Sequence, residues 1–306
     1  MPHYGEPRDI ISKLVNISCA SIKIKELILK EPHGDFSLRP QMHFIILSEP
    51  GNIKSTVISE IARVHNITPY ASVTFPGLVG TVYKTGKKPI TGCAWESRNK
   101  IMLLDEFNPK EETMIALLRV LEDQQYKRQL GTGKETKTNL HDDDLYYMVK
   151  NGVIELKTRT SCVLGSMMYL EYSTRKSTQA LLTRCVPYRF KPTIEELREI
   201  SMGKKLYTHD NINPIFTEND KHCIVIQEND YVSIVDFVMK EKVDNQIFMR
   251  AIGDCCRCFA VLGKHDYDLY NIICKLKQRA MNCYNVMINI ENEQREKIDK
   301  YADKSD

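Results

Sequence analysis

No stretch of this 306-residue chain approaches the roughly 20 consecutive apolar residues that a membrane-spanning helix needs. The first residues, Met1-Pro2-His3-Tyr4-Gly5, lack the basic-then-apolar pattern of a secretory leader. A surplus of one charge sign is lacking too: the net charge is only +3, too small to mark a nucleic-acid binder, so any basic surface must come from local clustering. Fixed-period repeats are missing. Trp95 is the single tryptophan, and with the fifteen tyrosines it forms no stacking pattern. Membrane, secreted and repeat classes are therefore set aside. What remains is a globular composition, 42% hydrophobic and 27% charged, with enough length for one large domain or two mid-sized ones. Ten cysteines without a leader read as reduced intracellular thiols. That points to a cytoplasmic protein, or a nuclear one in a source with a nucleus.

Short apolar runs alternate with helical patterns. Ile10, Ile11, Leu14, Val15, Ile22, Ile24, Leu27 and Ile28 give the N-terminal stretch a helical look, broken at Glu31-Pro32-His33-Gly34-Asp35. His43-Phe44-Ile45-Ile46-Leu47, Ile101-Met102-Leu103-Leu104 and Ser161-Cys162-Val163-Leu164 have the length and apolarity of buried parallel strands. Strands alternating with helices predict a parallel sheet covered on both faces. Beyond about Lys191 the pattern turns helical, and from Glu291 onward it is almost wholly polar.

Between the first of those strands and its helix lies Ser48-Glu49-Pro50-Gly51-Asn52-Ile53-Lys54-Ser55-Thr56. This is a degenerate form of the phosphate-cradling loop G-x-x-x-x-G-K-[ST], in which backbone amides and a helix N-terminus hold phosphates. Ser48 and Ile53 replace its two glycines. In this reading Glu49 to Thr56 bind ATP, Lys54 reaches the terminal phosphates and Ser55 holds Mg²⁺. Alone, the loop is equally an ordinary strand-to-helix turn. A second strand ends in Asp105-Glu106, at the carboxyl end where open α/β sheets bind ligands. Asp105 is placed to help hold Mg²⁺, and Glu106 to orient and polarise an attacking water. An isolated acidic pair also suits a helix N-terminus. The combination with the Lys-Ser loop favours nucleotide binding.

The order of phosphate loop, acidic pair, third strand, Leu181-Leu182-Thr183-Arg184 and a late helical arginine resembles that of AAA+ ATPases. Several segments are similar to the motor of MCM replicative helicases: Leu103-Leu104-Asp105-Glu106-Phe107, Leu117 to Gln125, Val149-Lys150-Asn151-Gly152-Val153, and Arg159 to Leu164. The resemblance implies an α/β fold, the AAA+ P-loop three-layer sandwich with a parallel central sheet, over residues 1–192. Pore-hairpin inserts are expected at about 75–92 and 125–158, a small α-helical lid at 193–290 and a polar tail at 291–306. It implies a homo-oligomeric ring, usually a hexamer, with ATP and Mg²⁺ at subunit interfaces. Arg184 is then the arginine finger and Arg250 the sensor arginine of the lid. The third strand should end in a polar sensor, and Ser166 is the nearest substitute. The family's oligonucleotide-binding and winged-helix modules have no counterpart here, which implies a bare motor or one whose other modules lie on partner proteins.

Lys150 matches the lysine that points into the pore of MCM motors, and Lys134 and Lys137, with Lys127 and Arg128, add positive charge nearby. DNA contact through these lysines would be salt-dependent and sequence-independent. His141-Asp142-Asp143-Asp144 opposes it locally, and Lys84, Lys87 and Lys88 of the other insert are weaker candidates. Cys255 and Cys258 form a C-x-x-C within an apolar helical pattern, which reads as core packing rather than a zinc site. Two further functions stay open: a protein-remodelling ATPase of the MoxR type, and a nucleotide-binding assembly or regulatory protein with weak hydrolysis.

Overall fold

The computed structural model describes residues 7–31, 33–49, 54–81, 90–129, 138–167, 173–205, 207 and 222–302. Helix α1 (Pro7–Ser21) leads into strands β1 (Ile24–Leu29), β2 (Phe36–Leu38) and β3 (Phe44–Ser48). Helix α2 (Lys54–His65) and β4 (Tyr70–Ala71) follow, then α3 (Phe75–Val79), β5 (Gly80–Thr81), β6 (Ile90–Thr91) and α4 (Cys93–Glu96). Next come β7 (Lys100–Asp105), α5 (Glu111–Asp123), and β8 (Gln125–Gln129), β9 (Thr138–Asp142), β10 (Leu145–Lys150) and β11 (Val153–Lys157). The remainder is β12 (Thr160–Met167), α6 (Lys176–Arg184), β13 (Val186–Arg189), α7 (Ile194–Ser201), β14 (His222–Ile226), α8 (Glu228–Lys240), α9 (Asn245–Leu262) and α10 (Tyr267–Ala302).

The protein is a mixed α/β structure around a five-stranded, all-parallel sheet in the order β13-β3-β12-β7-β4. Its inner strands carry apolar runs through their middles because both faces are covered, and every residue of β3 is buried. Alternate residues feed two cores. Phe44, Ile46, Leu103 and Val163 join α1, α2, α9 and α10 on one side. Ile45, Leu47, Met102, Leu104 and Leu164 join α5, α6 and the inner face of a second sheet on the other. Parallel pairing puts all five carboxyl ends on one edge, so the loops after β3, β7 and β12 share one end of the molecule.

Three expectations change. The helical pattern of the N-terminal stretch ends at Ser21, and Ile24–Leu29 form strand β1. The segment from 193 is not all helical and does not own a separate core. Its strand β14 pairs in parallel with β1, and its helices α9 and α10 bury Ala251, Ile252, Cys255 and Ile273 in the same cluster as α1 and α2. The polar tail continues α10 as helix to Ala302. The insert at 125–158 is a four-stranded antiparallel sheet in the order β8-β11-β10-β9 rather than a lone hairpin. From Leu145 to Val149 strand β10 alternates buried and half-buried residues, and Leu145, Tyr147 and Val149 anchor its inner face in the second core. The second insert forms a two-stranded ribbon, β5 with β6. No helix among the described residues is long and apolar enough to cross a membrane.

Candidate nucleotide site

Lys54 opens helix α2 at the carboxyl end of β3, followed by the exposed Ser55 and Thr56. Glu49 is exposed just past β3, whereas Pro50, Gly51, Asn52 and Ile53 lie outside the described residues. Asp105 ends β7, two strands away. Between them runs β12, and its Gly165 is what lets the two meet. A β-carbon placed on Gly165 would lie 2.9 Å from Asp105 Oδ1, 3.2 Å from Ile58 Cγ1 and 3.4 Å from Lys54 Cδ. The lysine stem and the carboxylate thus close over a backbone that has no side chain. Sequence reasoning passed over Gly165, although a glycine inside a buried apolar strand signals a close approach.

The acidic pair is held in an unusual backbone shape. Glu106 has φ of 48°, the left-handed region that costs a non-glycine residue energy, and its N–H donates to Asp105 Oδ1 at 2.8 Å. The next residue turns back over β12, with the Phe107 N–H donating to the Gly165 carbonyl at 3.1 Å. The Glu106 side chain is left exposed at the sheet's carboxyl edge. Ser166 sits in β12 opposite Leu47, one residue beyond Gly165, and its side chain lies outside the described residues.

Arg184 and Arg250 are not at this edge. Arg184 ends α6 just before β13, whose first residue Val186 pairs with Phe44 at the amino end of β3. The length of β3, roughly 15 Å, separates that level from Lys54. There both arginines meet Glu122, at the end of α5. Arg184 donates through Nε and Nη2 to Oε2, and Arg250 donates through Nη2 to Oε1 at 2.7 Å. Burial alone raises the Glu122 pKa, but the hydrogen bonds from Arg250 and Arg184 outweigh it and hold the carboxyl below its ordinary range. Glu122 was legible as part of a helix motif but not as the partner of these arginines.

Lys150 is exposed at the end of β10 beside the Asn151-Gly152 turn, where φ of 53° and 74° identifies the tight hairpin type that asparagine and glycine favour. Lys134 and Lys137, like Lys84, Lys87 and Lys88, lie outside the described residues. The neighbouring charges are largely matched within the chain. Lys127 pairs with Glu155 at 3.0 Å, and Arg128 pairs with Glu112 and lies over the Phe75 ring. On the acidic side Asp142 meets Arg98 at 2.8 Å, and Asp144 meets Arg159 at 3.0 Å. The expected surplus at Lys127 and Arg128, and the local repulsion by Asp142 and Asp144, are both reduced accordingly. Cys255 and Cys258 are fully buried in α9, where burial pushes both thiols up.

No family model matches the chain, and no curated protein is similar to it at a significant level.

Proposed function

We propose that this chain is an ATP-hydrolysing motor of the AAA+ class, similar to the motor of MCM helicases and acting on DNA as a ring, in the simplest case a homohexamer. One observation carries the reading: Gly165 lets Lys54 and Asp105 converge at the carboxyl edge of a parallel sheet, with Glu106 exposed beside them. In it, Lys54 neutralises the terminal phosphates and Glu106 orients the attacking water. The oxygen donors of Ser55 and Asp105 suit Mg²⁺, which when bound would neutralise charge between the phosphates. Arg184 lies too far along the sheet to serve its own loop, which fits an arginine finger acting on a neighbouring copy. Lys150, exposed at a hairpin turn, is the DNA contact in this reading.

The self-matched charges of Lys127 and Arg128 favour a second substrate, an unfolding polypeptide, over the same motor chemistry. Steady-state ATP hydrolysis with and without single-stranded DNA separates the two. Turnover that rises with DNA and disappears in Glu106→Gln supports the DNA motor. DNA-indifferent turnover moves the assignment to protein remodelling, and binding without turnover to a nucleotide-gated assembly protein.

A further inference from the structure

We propose that Glu122 is a positioning residue that holds Arg184 and Arg250 as a single two-cation unit for a triphosphate on an adjoining copy of the chain. The proposal rests on the nucleotide-motor reading above.

The three side chains come from three different helices. Glu122 is in the last turn of α5, Arg184 in the last turn of α6 and Arg250 within α9. A single carboxylate spans them, one oxygen to each arginine. Without it, two guanidinium groups facing the same spot would repel and separate. With it, the group keeps a surplus of one positive charge. Its members are 20% (Arg184), 32% (Glu122) and 36% (Arg250) exposed, open enough to receive an anion from outside.

The main chain behind the unit is fixed from within. Lys277 of α10, with its side chain fully buried, donates through Nζ to the carbonyls of Thr183 at 2.7 Å and Cys185 at 2.9 Å, on either side of Arg184. Its charge is met by Asp254 at 2.7 Å. The carbonyl of Leu121, next to Glu122, accepts from Arg39 Nη1 and from His43 Nε2, the latter at 2.9 Å. His43 Nδ1 in turn accepts the Cys162 N–H at 3.2 Å, so the ring is neutral with its proton on Nε2. Burial, with Arg39 next, lowers its pKa well below the ordinary histidine value and keeps it so. Three buried or half-buried groups, Lys277, Arg39 and His43, thus clamp the two peptide segments that bear Glu122 and Arg184. Such support is what a charged group needs if it is to meet a phosphate at fixed distance.

Glu122→Gln keeps the side chain's size and one acceptor while removing the charge. We expect kcat for ATP to fall about tenfold with KM changed less than about twofold, because geometry at the neighbour's phosphate is lost and nucleotide binding at the chain's own loop is not. Glu122→Asp, whose shorter carboxylate cannot reach both arginines, should fall in between and serves as the second variant if the amide destabilises the fold. Glu122→Gln combined with Arg250→Ala should lose no more than about twofold beyond the worse single variant, because the residues act as one unit. Wild-type kcat in Glu122→Gln, faster turnover in it, or full additivity with Arg250→Ala each overturns the positioning role. If the wild-type chain hydrolyses no ATP, or Arg184→Ala leaves its turnover unchanged, the motor reading fails first and this role goes with it.

Discussion

At Gly165 a hydrogen faces the gap between Lys54 and Asp105, and even a methyl group would come within 2.9 Å of the carboxylate. Gly165→Ala must displace either the carboxylate or the lysine stem, since β12 is held on both sides by β3 and β7 and has no freedom to retreat. We expect a loss of stability of about 1–3 kcal/mol by urea unfolding, together with weakened ATP binding by titration calorimetry. Unchanged binding would show that the convergence of Lys54 and Asp105 is incidental. His43 offers a test in pH. The folded chain holds its ring neutral with a pKa well below 6.5, whereas the unfolded chain binds a proton near that value. Stability is therefore complete above the unfolded pKa and drains as the pH falls toward the folded one. The urea midpoint should drop between about pH 7 and pH 5, and His43→Gln should flatten that slope even though it lowers stability overall.

At the scale of elements, α9 and α10 are tied to the parallel sheet by charge as well as by apolar contact. Burial raises the Asp254 pKa, but Lys277 and Arg257 outweigh it and keep the group ionised. Lys277→Met would leave Asp254 with Arg257 alone and two carbonyls without their donor, at a cost of about 3–5 kcal/mol in chemical denaturation. Adding Asp254→Asn should cost less than the two single losses summed, because the uncompensated buried charge is gone. These ties explain which parts were legible in advance. Strands β3, β7 and β12 announce themselves as short apolar runs, and Lys54, Asp105 and Glu106 as a spaced motif at their ends. The pairing of β14 with β1, and the shared core of α9 with α1, depend on which apolar faces meet. No local pattern encodes that. Glu122 joins residues 62 and 128 positions away in sequence, and such a triad exists only once the helices have packed. The four-stranded insert was harder still, because Lys, Gly and Asp crowd its sequence while its inward residues alternate one by one.

For the whole molecule, the two edges of the sheet assign Lys54 and Arg184 to opposite sides of one subunit. If a complete site needs both, it forms only where the carboxyl edge of one copy meets the amino edge of another, and a lone chain cannot turn over. Turnover per subunit should then rise steeply with protein concentration until rings are complete. Mixing variants gives a sharper test. Lys54→Ala spoils the site that a subunit builds for itself, and Arg184→Ala spoils the one it completes for its neighbour. Each variant alone should be inactive. In a mixed ring, an Arg184→Ala subunit that supplies its own Lys54 and receives Arg184 from a Lys54→Ala neighbour has an intact site. An equal mixture should recover on the order of a quarter of wild-type turnover, the share of interfaces with that pairing if subunits assort at random. Size-exclusion chromatography must show rings of the same size in all four samples. Inactive mixtures despite normal rings would mean that the two edges do not meet across a subunit boundary, and Arg184 would then be a buttress for α5 rather than a finger.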